Sequence, residues 1–167
     1  MNLPVAPPLD LKQRTIVYPD SDGEPIAENT LQFRWIVTVK EGLARVFRER
    51  DDVFIAGDLF WYPIEGHPEI RLAPDTLVVL GRPRGDRGSY RQWLENHIPP
   101  QVVFEILSPG NRYNEMIKKF QFYETHGVLE YYIYNPDTHQ LDGWRRNDDR
   151  LEEIPEMNGW VSPALGI

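Results

Sequence analysis

Between positions 29 and 49, apolar side chains recur at the four-residue spacing of an amphipathic helix. The stripe consists of Leu31, Trp35, Val39, Leu43 and Phe47, widened by Ile36 and Val46. Asn29, followed three residues later by Gln32, is typical of a capping box at a helix start. The pattern predicts a first helix over residues 29–49.

Short apolar runs indicate strands after this helix. Two or three strands are predicted from the runs at residues 53–62 (VFIAGDLFWY), 70–72 (IRL) and 73–80 (APDTLVVL). Residues 102–107 (VVFEIL) predict another, which ends at SPGN. The polar stretch 81–100 indicates a long loop with one helical turn near residues 89–95.

A second helix is predicted after SPGN, because Met116, Phe120 and Tyr123 keep the helical period and Gly127 suits a left-handed C-cap. YYIY at 131–134 and LDGWRR at 141–146 form a hairpin around NPDT, with a weaker strand at 151–154. The predicted order is helix, two or three strands, helix, strand, strand.

The length of 167 residues fits one domain. Residues 1–27 are rich in proline and lack a period, so we expect an extended N-terminal arm before a single domain at 28–167. The chain ends in GWVSPALGI, which resembles the approach to a strand, and both a truncated C-terminus and a frayed one fit this pattern. The 15 prolines argue against a helical bundle.

Composition narrows the function classes. There is no cysteine, which excludes disulfides, thiolate metal sites and thiol nucleophiles. No apolar run approaches the length of a membrane span and the start lacks an export signal, so we expect a soluble, cytoplasmic protein without membrane partners. The net charge of −8 repels nucleic acid, so any such binding needs a local basic surface.

Two carboxylates interrupt apolar strands. Asp75 stands between Pro74 and LVVL, and Glu105 lies within VVFEIL. Carboxylates are rarely buried unless they are paired or bound to a cation. Alternatively, Asp75 is a turn residue and Glu105 lies on the solvent face of its strand. The four histidines are not at ligand spacing, so a metal would be held by carboxylates, which select Mg²⁺ or Mn²⁺.

In the second helix, Glu115 and Lys119 are four residues apart and share one face, which is the spacing of a common surface ion pair. Lys118 points about 100° away. Glu28 and Asp58 are further carboxylates whose simplest roles are a cap and a solvent-facing side chain.

The linked pattern of PD at 74–75, FEILSP at 104–109 and NEMIKKFQFYETHGVLEYYIYNPD at 114–137 resembles the Uma family of putative restriction endonucleases within the PD-(D/E)XK nuclease superfamily. The resemblance extends from about Glu28 to Trp144. It implies an α/β (α+β) restriction-endonuclease-like core, a mixed β-sheet flanked by helices in the order αβββαβ.

The resemblance also implies roles for matching positions. Asp75 and Glu105 match the ligands of a divalent cation, Mg²⁺ or Mn²⁺. The usual lysine two residues after Glu105 is replaced by Leu107, and Lys119 matches the lysine that substitutes for it in this family. Glu28, Asp58 and Glu115 are candidates for additional ligands or for neighbours of the ligands.

The loop 81–100 is the predicted substrate-binding surface. It carries Arg82, Arg84, Arg87 and Arg91 and the aromatic residues Tyr90 and Trp93. Arginine donates two parallel hydrogen bonds to phosphate. Because the loop links the two acidic strands, we expect it near the site; a solvated mobile loop is the alternative.

The leading hypothesis is a metal-dependent endonuclease that hydrolyses DNA, with Asp75 and Glu105 on one face of the sheet and about 4–5 Å apart. The first alternative is a catalytically inactive nuclease-fold protein that serves in nucleic-acid binding or assembly. A second alternative is a carbohydrate-binding platform of tryptophans and tyrosines, with Asp75 and Glu105 as glycosidic carboxylates. We expect a homodimer that uses exposed edges near Leu141–Trp144 or the termini, because a duplex has two strands.

Overall fold

Six strands form one mixed β-sheet in the computed structural model, which describes residues 15–167. The helices are α1 (Thr30–Val46) and α2 (Tyr113–Thr125), and the strands are β1 (Val53–Gly57), β2 (Trp61–Tyr62), β3 (Thr76–Leu80), β4 (Tyr90–Arg91), β5 (Val102–Ile106), β6 (Glu130–Asn135), β7 (Gln140–Asn147) and β8 (Arg150–Glu153). The large sheet has the order β1-β3-β5-β6-β7-β8, and β2 and β4 form a small separate sheet. The predicted mixed α/β fold and its αβββαβ core are confirmed, with β7 and β8 added at one edge.

Helix α1 begins one residue later and ends three residues earlier than its pattern predicts. Asn29 accepts the backbone N–H of Gln32 at 2.8 Å, as expected of a cap. The Gln32 side chain accepts the backbone N–H of Glu28 and not that of Asn29, so the capping box is displaced by one residue. Gln32 also donates to the backbone oxygen of Ile106 at 3.0 Å, which ties the start of α1 to the end of β5.

The apolar run 53–62 is broken at Asp58. This residue has a positive φ of 48°, and its N–H donates to the backbone oxygens of Pro74 and Asp75 at 3.1 and 3.3 Å. A non-glycine residue in this region is uncommon, and Asp tolerates it better than most. The break separates β1 from β2 and fixes Asp58 beside the residue that precedes β3.

The sheet separates two apolar clusters. Tyr123 of α2 packs with Val103, Leu77 and Tyr131 on one face, whereas Leu43 of α1 packs with Val102 on the other. Alternation along β5 places Glu105 on the Val103 face, where it is only 2% exposed. The alternative of a solvent-facing Glu105 is therefore wrong, because α2 covers this face.

The loop 81–100 contains the short strand β4 and one turn of 3₁₀ helix, Gln92–Leu94, inside the region where a helical turn is predicted. Helix α2 ends at Thr125, and Gly127 has the expected positive φ of 91°. After β8 the described residues contain no further strand; Ser162 and Ala164 instead donate hydrogen bonds to the buried Glu130.

The edges of the large sheet are β1 and β8. Strand β7 pairs with β6 from Gln140 to Arg145 and with β8 from Trp144 to Asn147. The prediction of an unpaired edge at Leu141–Trp144 is therefore wrong at Trp144, because Trp144 pairs with Glu153 of β8. In the part of the chain that is described, no helix has the length and apolar character needed to span a membrane.

Residues 1–14 of the expected arm lie outside the described residues, and its division from the domain at residue 27 stays a prediction. The described part of the arm packs on the domain. Tyr62 donates to the backbone oxygen of Pro19 at 2.5 Å, and Tyr18 accepts the N–H of Gly66 at 2.6 Å.

Candidate active site

Asp75 and Glu105 face each other across neighbouring strands. Thr76 pairs with Phe104 in the antiparallel β3–β5 register, so the next position along places Asp75 opposite Glu105. Both side chains are buried, and the charge of Glu105 acts on Asp75 strongly enough to contribute to its raised pKa. Asp75 also accepts the N–H of Ile106 at 2.7 Å. The two strands therefore hold a carboxylate pair on one face of the sheet.

Burial and, to a smaller extent, the negative charge of Glu105 together raise the pKa of Asp75 to about 8. The charge of Lys119 acts in the opposite direction but does not outweigh them. Without another cation, Asp75 is largely protonated at neutral pH, because burial and the neighbouring carboxylate both disfavour its ionised form. A bound cation would favour the ionised form of Asp75 and lower its pKa.

Helix α2 completes the group around Glu105. Lys119 donates to one oxygen of Glu105 at 2.6 Å, and the hydroxyl of Tyr123, one turn further along, donates to the other. The alternative of a surface ion pair between Glu115 and Lys119 is wrong, because the ammonium points down to the sheet. Lys118 is exposed.

Lys119 remains protonated in this setting. Burial lowers the pKa of its ammonium, but the charges of Glu105 and Asp75 outweigh burial and raise it above its ordinary value. Lys119 is therefore a fixed positive charge beside the carboxylate pair and not a proton acceptor at neutral pH.

Asp75 of this pair lines an open cavity of about 420 Å³, whereas Glu105 lies behind it and is not part of the lining. Five acidic side chains line it, namely Asp22, Glu28, Asp58, Asp75 and Glu115. The cations that line it among the described residues are Arg71 and Lys119. The cavity is therefore strongly acidic, and a phosphodiester can enter it only with compensating positive charge.

Three predicted neighbours of the ligands lie here. Glu28 accepts a hydrogen bond from the Ser108 hydroxyl, which joins the start of α1 to the loop after β5. Burial raises the pKa of Asp58 to about 6, with further contributions from the charges of Asp22 and Glu105. Glu115 lies in the first turn of α2 and is exposed.

Sequence reasoning missed Asp22 and Arg71 as residues of this cavity. Asp22 belongs to the arm, which has no periodic pattern, and Arg71 lies in the short run IRL. Neither position carries a local signal, because chain segments distant in sequence bring them to the cavity.

The loop arginines are placed differently from the expectation. Since β3 and β5 are antiparallel, the loop 81–100 leaves the sheet at the end opposite to Asp75 and Glu105. Of the described residues that line the acidic cavity, none is one of the four arginines. The expected proximity is therefore wrong, whereas a role in substrate binding stays a prediction.

Each of these arginines has partners within the protein. Arg82 and Arg87 form ion pairs with Glu95 at 2.8 and 2.5 Å. Arg84 donates to the backbone oxygens of Arg50 and Phe47. Arg91 donates to Ser89 and to the backbone oxygen of Tyr18.

The donor set suits a divalent cation of the magnesium type. Mg²⁺ usually takes one or two protein carboxylates and keeps several waters. Asp75 and Glu105 supply two neighbouring carboxylates, and the pKa of Asp75, which burial and the charge of Glu105 raise, would fall when a cation binds. Among the described residues, no group of three or more His, Cys, Asp or Glu side chains is arranged to hold a metal ion, so the fit rests on this pair.

The fold and this carboxylate pair define a protein of the restriction-endonuclease-like class. The Uma2 family, described as "Putative restriction endonuclease", matches residues 18–165. The chain therefore belongs to the Uma2 family. A similar solved structure is described as a putative nuclease belonging to DUF820 from Anabaena variabilis ATCC 29413.

That structure has a TM-score of 0.59 and 15% sequence identity, and the match covers 83% of this chain and 75% of the other. At this identity the likeness establishes the fold alone. No curated protein matches the sequence.

Proposed function

We propose that this protein is a divalent-metal-dependent endonuclease that hydrolyses DNA phosphodiester bonds in the acidic cavity. The observation that carries the proposal is the buried pair of Asp75 and Glu105, which two strands hold and in which Glu105 is bound by the partly buried Lys119. Membership of the Uma2 family, described as "Putative restriction endonuclease", supports a nuclease activity. In this proposal, Asp75 and Glu105 hold Mg²⁺ or Mn²⁺.

When bound, such a cation neutralises charge that develops on the phosphate and lowers the pKa of a coordinated water. Lys119 adds a second positive charge, which is fixed in place by Glu105 before the substrate arrives. Tyr123 holds the other oxygen of Glu105 and thereby sets the orientation of the carboxylate.

Asp58 is the group best suited to accept the proton of the attacking water. Its pKa of about 6 leaves it mainly ionised at pH 7, and it senses the charges of Lys119 and Glu105. A base with a pKa near the working pH is efficient in proton transfer. Lys119 cannot take this role because it is already protonated.

The test is incubation of supercoiled plasmid and of single-stranded DNA with the protein and Mn²⁺ or Mg²⁺, with EDTA as the metal-free arm. We expect cleavage by the wild type and none by Glu105→Ala. Glu49→Ala, which removes an exposed carboxylate, is the matched control and should cleave normally. Intact substrates with the wild type, or equal cleavage by Glu105→Ala, would contradict the proposal.

A catalytically inactive nuclease-fold protein is the second candidate, and Leu107 at the usual lysine position and the net charge of −8 favour it. Binding of DNA without cleavage in the same assay would support this candidate. The carbohydrate interpretation is not supported, because Trp61, Tyr62, Tyr90 and Tyr131 are fully buried and cannot form a sugar-binding platform.

A homodimer and a cytoplasmic location belong to the same proposal. Two copies related by a two-fold axis can address both strands of a duplex, and the unpaired edge of β8 is a candidate contact. Sedimentation at tens of micromolar tests the assembly. A single monomeric species would remove the homodimer from the proposal without affecting the chemistry.

A further inference from the structure

Arg71 is held rigidly in the wall of the acidic cavity. The next residue, Leu72, pairs with Trp61 by backbone hydrogen bonds in both directions, at 2.9 and 3.2 Å. The Arg71 guanidinium lies 5.0 Å from the centroid of the Phe60 ring and donates to the backbone oxygen of Pro68 at 3.0 Å. Phe60 is buried, so the ring that orients the guanidinium is itself fixed.

Among the described residues, Arg71 forms no ion pair with a carboxylate. The other cation of the cavity, Lys119, is bound to Glu105. In the loop after β3, Arg82 and Arg87 share Glu95. Arg71 therefore keeps donor capacity in a cavity that carboxylates dominate.

Arg71 and Lys119 belong to different walls of this cavity, the segment between β2 and β3 and helix α2 respectively. A phosphate that is cleaved must lie against Asp75 and Lys119. A nucleic-acid strand carries further phosphates on either side, and the acidic cavity repels them unless a cation receives them. A guanidinium that is planar and pre-oriented suits that purpose, because it donates two hydrogen bonds to one phosphate.

We propose that Arg71 binds a backbone phosphate of the substrate strand, next to the phosphate that is cleaved. The inference rests on the proposed function for the position of the cleaved phosphate. It assigns the contact to the sugar–phosphate backbone, so the same contact serves any base sequence.

The experiment measures binding apart from cleavage. Fluorescence anisotropy of a labelled 20-base-pair DNA duplex and of its single strand is recorded with Ca²⁺ in place of Mg²⁺, over a series of salt concentrations. We expect Arg71→Gln to weaken binding about tenfold and to reduce the slope of log K against log salt by about 1. Arg45→Gln, the same change at the exposed far end of α1, is the matched control and should stay within twofold of wild type.

Arg71→Lys keeps the charge but loses the planar fork, so its affinity should lie between those of wild type and Arg71→Gln. Thermal unfolding of each variant checks the fold. If Arg71→Gln does not fold, the test falls to Arg71→Lys. A threefold loss of DNA affinity in Arg71→Lys then supports the proposal, and an unchanged DNA affinity overturns it. An unchanged salt slope in a folded Arg71→Gln, or no DNA binding by the wild type, also overturns it. If DNA binding depends on Arg71 but the wild type does not cleave with Mn²⁺, the phosphate contact stands and the endonuclease proposal fails.

Discussion

Two buried ionic clusters in this protein are built from similar side chains with opposite balance. In the arginine cluster, Glu95 lies between Arg82 and Arg87. In the carboxylate cluster, Lys119 contacts Glu105, which lies against Asp75. The first cluster has two cations for one carboxylate, and the second has two carboxylates for one cation.

The pKa of Glu95 in the arginine cluster and the pKa of Asp75 in the carboxylate cluster shift in opposite directions. Burial raises the pKa of Glu95, but the adjacent Arg87 and Arg82 outweigh burial and lower it overall. In the carboxylate cluster, burial and Glu105 together raise the pKa of Asp75 to about 8. The one carboxylate of the arginine cluster is paired with two cations, so that cluster holds the loop in place, whereas in the carboxylate cluster Asp75 ionises readily only when a further cation binds.

The two clusters also show why arginine-rich sequence was a poor guide to the position of the acidic cavity. Arg82 and Arg87 both form ion pairs with Glu95, an acidic residue of the same loop. Of the arginines in residues 15–167, Arg71, a single arginine in an apolar run, is the one that lines the acidic cavity.

The largest expected effect is the loss of activity in Lys119→Met. Removing the ammonium deprives the transition state of a fixed positive charge, so we expect cleavage to fall about a thousandfold, corresponding to ~4 kcal/mol. Single-turnover plasmid cleavage with Mn²⁺ measures it. Lys118→Met, which removes an exposed charge from the adjacent position, should cleave within twofold of wild type. Full activity in Lys119→Met would show that the carboxylate cluster does not use its lysine.

Glu95→Gln should lower the free energy of unfolding by about 3 kcal/mol, because it leaves two largely buried guanidinium groups without a carboxylate. Urea denaturation at pH 7 measures the change. Glu49→Gln is the control, since its ion pair with Arg48 is on the surface and contributes about 0–1 kcal/mol. Equal losses in the two variants would mean that the arginine cluster is no more than a surface ion pair.

Asp75→Asn should have the opposite sign and stabilise the metal-free protein by about 2 kcal/mol at pH 7. The amide keeps an acceptor for the N–H of Ile106 and is neutral without binding a proton, whereas Asp75 must take up a proton on folding at this pH. Such a gain at the expense of activity is common at functional sites. Asp149→Asn, an exposed aspartate, is the control and should change stability little.

The stability of the wild type should also depend on pH through Asp75. Its pKa is raised from 3.8 to about 8, so the folded state keeps a proton that the unfolded state loses. This contribution is full below pH 4 and is lost as pH rises to about 8, with a slope of up to ~1.4 kcal/mol per pH unit. Urea denaturation of wild type and Asp75→Asn from pH 5 to 8 isolates it. Parallel stability curves for the two proteins would show that Asp75 titrates normally.

The smallest expected effect is that of Tyr131→Phe. The Tyr131 hydroxyl is buried and has no hydrogen-bond partner among the described residues, so its removal should change the free energy of unfolding by less than about 0.5 kcal/mol. Tyr123→Phe loses a hydrogen bond to the Glu105 carboxylate and should cost about 1.5 kcal/mol. The order of the two values is the test, and a larger loss in Tyr131→Phe would indicate a buried partner for that hydroxyl.

Local sequence determined most of the secondary structure. The repeats that place α1 and α2 involve residues three or four positions apart, and the strand signals depend on runs of a few branched and aromatic residues. The break at Asp58 was not visible in the run 53–62, because it depends on hydrogen bonds to Pro74 and Asp75. The ends of α1 were likewise set by tertiary contacts, such as that of Gln32 with Ile106.

For the candidate site too, some features were visible in the local sequence and others depended on tertiary contacts. Charges inside apolar strands marked Asp75 and Glu105 in the sequence, because burying a carboxylate is costly and demands a reason. The sequence by itself marked the two acidic residues that form the carboxylate cluster. It could not decide between Glu115 and Glu105 as the partner of Lys119, since the first is local and the second lies 14 residues away on another element. Only the tertiary structure brought these groups together, through the antiparallel register of β3 and β5 and the packing of α2 on the sheet. The same register places the loop arginines at the opposite end of the sheet. Strand pairing fixes the relative positions of distant segments, and no local sequence pattern encodes it.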